Sequence, residues 1–253
     1  MKVLLHGCNG KMGRVMTRVL SETPDMEIVA GVDLEPDKAR NAYPVYVRLP
    51  DVSEGADVLI DFSHHTCLPG LLEFGTSRNM PLVICTTGFS HDEKQAMASA
   101  AGTMPVLNSA NMSLGVNLLL SLVRQAAALL HDGFDIEVVE RHHNQKVDSP
   151  SGTALMIAEV INSALDNRME YVYGRHSKNQ RRRKSEIGIH AVRGGAIVGE
   201  HDVIFAGQGE VIEINHSALS RDVFAYGAVR AARFLVGRPP GLYSMKDVIE
   251  SGG

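Results

Sequence analysis

Only three cysteines, Cys8, Cys67 and Cys85, occur in the 253 residues, odd in number and far apart. Such spacing excludes a disulfide framework and a thiolate zinc site, and it fits a chain that works in a reducing cytoplasm. No apolar run reaches the ~18 residues a membrane helix needs, and Met1–Leu5 meets His6-Gly7 too soon for a signal peptide. No membrane partner is expected. Positive charge is not in excess either: the net charge of −4 argues against a general affinity for nucleic acid. One basic run, Arg181-Arg182-Arg183-Lys184, reads as a solvated loop, as a cover over an anionic substrate, or as a contact with another subunit. The histidines show no HExxH or other metal spacing, so no metal is expected, and no internal repeat is visible. What the chain does have is 44% hydrophobic residues without low-complexity tracts, enough for the cores of roughly two domains.

The N-terminus is the first informative stretch. Lys2–His6 is a short apolar-rich strand that runs into GCNGKMG, with Gly7, Gly10 and Gly13 at three-residue intervals. Met12, Val15, Met16, Val19 and Leu20 then repeat on one face of a helix, and Glu27–Asp33 reads as a second strand. In this βαβ unit the glycines allow a tight turn with the backbone close to a pyrophosphate at the helix start. Asp33, 20 residues past Gly13, stands where an acid bonds the ribose hydroxyls of NAD. Asn9 occupies the place of a glycine in GxGxxG, and glycine-rich turns also serve flavins, nucleotide sugars or no ligand.

Asp57–Phe62, Pro81–Gly88 and Pro105–Asn111 continue as short strands ending in small polar residues, which predicts a doubly wound parallel sheet of Rossmann type. Ligands in such sheets lie beyond the carboxyl ends of the strands, so Phe62-Ser63-His64, Thr86-Thr87-Gly88 and Ala110-Asn111-Met112 are candidate cofactor neighbours. Ser90 with Glu93 also fits a capping box, so TTGFSHDE reads equally as a plain turn into a helix. Beyond residue 113 the pattern changes. A long apolar helix, Leu114–Leu130, precedes a strand at 134–143, a helix at 154–165, and strands at 186–192, 196–206 and 210–217 joined by glycine turns. These predict a second, α+β domain with a mixed, open and largely antiparallel sheet and helices on one face, over residues 114–221. Residues 1–113 with 222–253 form the first domain, because the amphipathic stretch Val223–Val236 returns to it.

Between the second domain's first strand and its next helix lies ERHHNQKVDSPSGT, residues 140–153. Pro150 suits a first helical position and Ser149 an N-cap, leaving the amides of Ser151, Gly152 and Thr153 open to a carboxylate. Lys146 adds a compact cation, and His142 or His143 supplies an imidazole that can protonate a carbon or nitrogen gaining charge. The stretch suits a small dianion and general acid catalysis. Taken singly, each of these residues reads as an ordinary strand end, turn or cap.

These motifs resemble those of the 4-hydroxy-tetrahydrodipicolinate reductase family, nearly end to end. GCNGKMG is similar to its glycine loop, VICTTGF to its nicotinamide-side turn, SANMSLGVN to its crossover, and ERHHNQKVDSPSGTAL to its signature. The resemblance implies hydride transfer from NADH or NADPH to a cyclic dicarboxylate in the diaminopimelate route to lysine. It implies His142 as proton donor, Lys146 in catalysis and substrate binding, and His143, Ser151, Gly152, Thr153 and Thr87 as substrate contacts. Gly7, Asn9, Gly10, Lys11, Met12, Gly13, Asp33, Phe62, Ser63, His64, Thr86, Gly88, Ala110, Asn111 and Met112 would line the cofactor. A homotetramer built through the second domain's sheet is implied, with a hinge near Ser113 and residues 220–224. Leu34 after Asp33, and His64 where an arginine is common, favour NADH, whereas Lys11 and Arg14 would suit a 2′-phosphate. The rival readings are another Rossmann-type amino-acid-pathway dehydrogenase and a non-enzymatic NADH sensor. An aspartate-semialdehyde dehydrogenase would need a nucleophilic cysteine, and a sensor would leave the His-His-Lys group without a task.

Overall fold

The structure, a computed structural model, describes residues 1–252. Its strands are β1 (Lys2–His6), β2 (Glu27–Val32), β3 (Val45–Tyr46), β4 (Val58–Asp61), β5 (Leu82–Ile84), β6 (Pro105–Asn108), β7 (Asp135–His142), β8 (Glu170–Tyr173), β9 (Glu186–Arg193), β10 (Gly199–Ala206), β11 (Val211–Ala218) and β12 (Gly241–Tyr243). Its α-helices are α1 (Lys11–Ser21), α2 (Leu68–Arg78), α3 (His91–Ala100), α4 (Leu114–Leu130), α5 (Gly152–Ala164), α6 (Asp222–Leu235) and α7 (Met245–Glu250). Two units result: Met1–Leu114 with Arg221–Gly253, and Gly115–Ser220. Among the described residues no helix is long and apolar enough to cross a membrane.

The first unit's sheet has the order β12-β6-β5-β4-β1-β2-β3, and each of its pairings is parallel. Its central strands are apolar on both faces because helices cover both. Val3, Leu5, Val58 and Ile60 point into a core shared with α1, α6 and α7, while Leu4, Leu59, Leu82 and Ile84 point into a core under α2 and α3. The strand order reverses between β1 and β4, which opens a crevice at their carboxyl ends. Two elements of this sheet, β3 and β12, went unpredicted. Each is two or three residues long and is a strand only because a neighbour supplies its ladder partners.

The second unit's sheet, β11-β10-β7-β9-β8, is mixed and open as expected, with its antiparallel pairings no more numerous than its parallel ones. β10 pairs antiparallel with β7 and β11, but β9 pairs parallel with both β7 and β8. The reason is α5: the chain leaves β7, crosses over as a helix, and so re-enters the sheet in the same direction. Ile136, Val138, Ile187, Ile189, Val203 and Phe205 pack against Leu119 and Val123 of α4 and Ile157 and Ile161 of α5 on one face.

The opposite face carries ion pairs. Glu137 accepts from Arg175 (2.8 Å), Arg182 (3.0 Å) and His190 (2.7 Å), and Glu186 pairs with Arg175 (2.7 Å) and Arg183 (2.9 Å). Arg182 also reaches Asp135 and two backbone carbonyls. Two cations of the Arg181–Lys184 run are thus engaged within the sheet rather than presented to a ligand. Arg175, then Arg183, hold the Glu186 carboxyl down at about 2.

Candidate active site

The candidate residues fall into two groups, one in each unit. In the first, β1 enters the glycine loop through Gly7, whose φ of +76° lies in the left-handed region. A Cβ on Gly7 would stand 2.7 Å from the Phe62 carbonyl oxygen, and one on Gly13 would stand 2.1 Å from that of Gly7. Asn9 explains its own departure from GxGxxG. It is buried, its amide donates to Asp33 Oδ2 (2.9 Å), its Nδ2 to Glu35 O (2.7 Å), and its Oδ1 accepts from Asn41 (2.8 Å). The side chain therefore ties the loop to the end of β2. Asp33 also accepts the Glu35 amide (3.0 Å), so both its oxygens carry a backbone bond.

A cavity of about 680 Å³ opens here, lined among others by Gly7, Gly10, Asp33, Phe62, Ser63 and His64. Lys11, Met12 and Gly13 form the first turn of α1, whose Gly10 cap offers no side-chain acceptor to the leading amides. Thr86 is buried and donates to Asp61 (2.7 Å), while Thr87 is exposed and Gly88 adopts φ +84°. Ala110 is exposed, whereas Met112 belongs to the core shared with α6, where a Cβ on Gly227 would stand 1.8 Å from its carbonyl oxygen. Burial, then the charge of Asp33, push the Cys8 thiol up to about 11, and burial, then Asp61, raise Cys85 as well. Neither is an activated nucleophile.

In the second unit the strand period of two places Glu140 and His142 on the helix-facing side of β7. Glu140 is fully buried and saturated. Its two oxygens accept from His142 Nδ1 (2.7 Å), the Ser151 amide (2.9 Å), and Arg193 Nη1 and Nη2 (2.7 Å each). Burial pushes this carboxyl up, but Arg193, His142 and the Ser151 amide outweigh it and hold the group below the ordinary range. Since an ionised Glu140 only accepts, Nδ1 of His142 carries its proton and Nε2 is left as the exchanging atom. Nε2 lies over Gly199, where a Cβ would stand 3.0 Å away.

The helix start corrects the expected cap. Ser149-Pro150 lies outside α5, joined by a cis peptide bond, and Ser151 is the N-cap, its hydroxyl accepting from the Ala154 amide (3.1 Å). Ser151 is thereby a strut whose own amide is committed to Glu140. Gly152 and Thr153 hold the first two helical positions, and the Gly152 amide already faces the carboxylate of Asp148. Lys146 lies in the preceding turn with its ammonium 2.9 Å from the Asp148 carboxylate, and its amide donates to the carbonyl of half-buried His143 (3.1 Å). Lys146 holds the Asp148 carboxyl below its ordinary value. A carboxylate of the chain itself thus rests on the cation expected to take one from a ligand.

Three residues of this group carry no site role in the sequence reading, Glu140 standing as a strand end, Arg193 as part of a glycine turn and His201 as a structural histidine. Glu140 was within reach of the period-two argument applied to ERHH. Arg193 and His201 had no local signal, being 53 and 50 residues from the partners they serve. His201 Nε2 meets Ser151 Oγ (3.0 Å), and its ring lies edge-on to His142 with centroids 5.3 Å apart. Burial, then the neighbouring His142, pull the His201 imidazole down to about 3.

Acid sensitivity follows. An unfolded chain protonates His201 near 6.5 while the folded one stays neutral until about 3, so stability falls as pH drops through that window. Glu186 adds to the loss between about 4.5 and about 2, where the unfolded carboxyl takes up a proton first. The urea midpoint should decline steadily below pH 6.5; a midpoint unchanged between pH 7 and pH 4 would contradict it.

Comparison with known proteins gives one consistent family. The sequence model for "Dihydrodipicolinate reductase, N-terminus" matches residues 1–112, and that for "Dihydrodipicolinate reductase, C-terminus" matches residues 115–249. A 4-hydroxy-tetrahydrodipicolinate reductase of Caldanaerobacter subterraneus subsp. tengcongensis is 55% identical over 99% of both chains. One of Clostridium tetani is 48% identical over 99% of this chain and 97% of its own. Among solved structures, a dipicolinate-bound dihydrodipicolinate reductase from Paenisporosarcina sp. TG-14 shares the fold at TM-score 0.81 and 24% identity, over 96% of this chain and 97% of that one. With both halves matched and relatives this similar along their full length, the chain belongs to the dihydrodipicolinate reductase family.

Proposed function

We propose that the protein is an NAD(P)H-dependent oxidoreductase reducing 4-hydroxy-tetrahydrodipicolinate to tetrahydrodipicolinate, in the diaminopimelate route of lysine biosynthesis. The observation that carries this reading is the Glu140-backed imidazole of His142 in the same loop system as a Lys146 ammonium and a Gly152 amide that together already hold one carboxylate, that of Asp148. The first unit fits a dinucleotide, since Gly7 and Gly13 admit no side chain and Gly7 and Gly10 line a cavity at the reversal of strand order. Gly7, Gly10, Lys11 and Gly13 would hold its pyrophosphate, Asp33 its adenine-side ribose, and Phe62, Ser63, Thr86, Gly88 and the Ala110–Met112 backbone its other half. When bound, the reduced nicotinamide supplies a hydride.

The chain's own residues do the rest. Lys146 and the Gly152 amide exchange Asp148 for a substrate carboxylate, with Ser151, Thr153, His143 and Thr87 as further contacts. His142 releases a proton from Nε2 to the ring as it gains charge, while Glu140 keeps Nδ1 protonated and stabilises the imidazolium beforehand. The ring gains one hydride and one proton and loses water. Cytoplasmic work and assembly as a homotetramer through the second unit's helix-free sheet face complete the proposal; the charged pairs around Glu137 and Glu186 sit on that face. A coupled assay tests the reaction: a synthase supplies the unstable substrate from pyruvate and aspartate semialdehyde, and NADH oxidation is followed. No oxidation would refute the assignment.

NADH should be the better cofactor. A 2′-phosphate near Asp33 meets its negative charge, and the two cavity arginines are engaged, Arg48 by Asp51 (2.8 Å) and Arg78 by the Val52 carbonyl (2.7 Å). We expect kcat/KM with NADH to exceed that with NADPH by about tenfold, the equivalent of about 1.4 kcal/mol. Steady-state kinetics with both would decide, and a preference for NADPH would overturn the argument from Asp33.

A further inference from the structure

His6 and Asp61 have no role in the sequence reading, yet they form a buried polar cluster at the mouth of the nucleotide cavity. His6 Nδ1 lies 2.8 Å from Asp61 Oδ1, and the side chains of the pair are 10% and 2% exposed. Asp61 also accepts the Ser63 amide at Oδ1 (3.2 Å) and the Thr86 hydroxyl at Oδ2 (2.7 Å). One carboxylate thus joins the carboxyl end of β1 to that of β4 and to the turn after β5. An ionised Asp61 can only accept, so His6 Nδ1 holds the proton and the neutral ring presents Nε2 as an acceptor. No protein donor among the described residues reaches Nε2, and His6 lines the cavity beside Gly7, Phe62 and Ser63.

The position within the sheet decides what Nε2 meets. The loop at 7–13 takes the pyrophosphate, and the adenine-side ribose lies toward β2, where Asp33 stands. His6 is turned the other way, bonded to Asp61 of β4, which in turn accepts from Thr86 beyond β5. The next group of a dinucleotide in that direction is the nicotinamide ribose, whose hydroxyls are donors.

We propose that His6 is a cofactor-binding residue whose Nε2 accepts a hydrogen bond from a hydroxyl of the nicotinamide ribose, held in that tautomer by Asp61. The inference rests on the reductase reading, which supplies the cofactor. It is tested by calorimetric titration of the full chain, without substrate, using NADH, its analogues lacking the 2′- or 3′-hydroxyl on the nicotinamide ribose, and ADP. Wild type should bind one of the deoxy analogues about three- to tenfold more weakly than NADH, the scale of one hydrogen bond. His6→Phe should bind NADH more weakly by a similar factor, no longer distinguish the analogue, and bind ADP as wild type does. Should the phenylalanine variant not fold, His6→Asn, which can still donate to Asp61 but is too short to reach the cavity, is expected to behave the same way. Equal affinity of wild type for NADH and both analogues would overturn the proposal while leaving the reductase reading intact. An equal loss of ADP affinity in the variant would also overturn it, reducing His6 to a prop for the glycine loop. Failure of wild type to bind NADH at all would remove the reductase reading itself, and this inference with it.

Discussion

His142→Gln should lower kcat by about 10²-fold or more with little change in melting temperature, since a positioned general acid contributes roughly 10²–10⁴-fold. Glutamine fills much of the space over Gly199 and can still bond Glu140, but it has no proton to give near neutrality. Lys146→Ala should lower kcat by a similar ~10²-fold and raise KM, because the ammonium holds a carboxylate and offsets its charge while the ring is reduced. Its cost to stability should stay below about 1 kcal/mol, since the pair with Asp148 is a surface one. Measuring kcat, KM and thermal midpoint for each variant separates chemistry from folding. Rates like those of wild type in both would remove the roles assigned to them.

Glu140→Ala should have the largest effect on the fold itself. Removal of this carboxylate leaves the Arg193 fork, the Ser151 amide and His142 Nδ1 without their shared acceptor, in a place closed to water. Breaking a buried charge pair from one side costs about 3–5 kcal/mol, and the imidazole also loses its orientation, so kcat should fall with stability. The double variant Glu140→Ala with Arg193→Met separates the two consequences. It no longer buries an unpaired cation, so part of the stability should return while kcat stays low. Urea denaturation of the single variant at the wild-type midpoint would show that Glu140 is not the keystone its four bonds imply.

The first unit's sheet was legible because each of its long strands is a contiguous apolar run: β1 appears in full, and β4, β5 and β6 fall where the runs are, shortened by two, five and three residues where small polar residues turn away. The clamp was legible as chemistry but not as geometry. Asp148-Ser149-Pro150-Ser151 holds two serines that could each cap a helix, and Pro150 favours the first. Glu140 and His201 decide for the second, by taking the Ser151 amide and hydroxyl from across the sheet. The same holds for Asn9: a motif that expects glycine there cannot register that Glu35, Pro36 and Asn41 converge on its side chain. Local pattern reveals which groups are present; the partners that hold them in place come from elsewhere in the chain, up to 55 residues away.

The core beneath β1 is assembled from both ends of the polypeptide. Val3 and Leu5 pack with Ala228, Ala232 and Leu235 of α6 and with Met245 and Val248 of α7, and β12 completes the edge of the sheet beside β6. The apolar face that residues 1–114 present beneath β1 is therefore closed only once α6 and α7, made after the whole of residues 115–220, are in place.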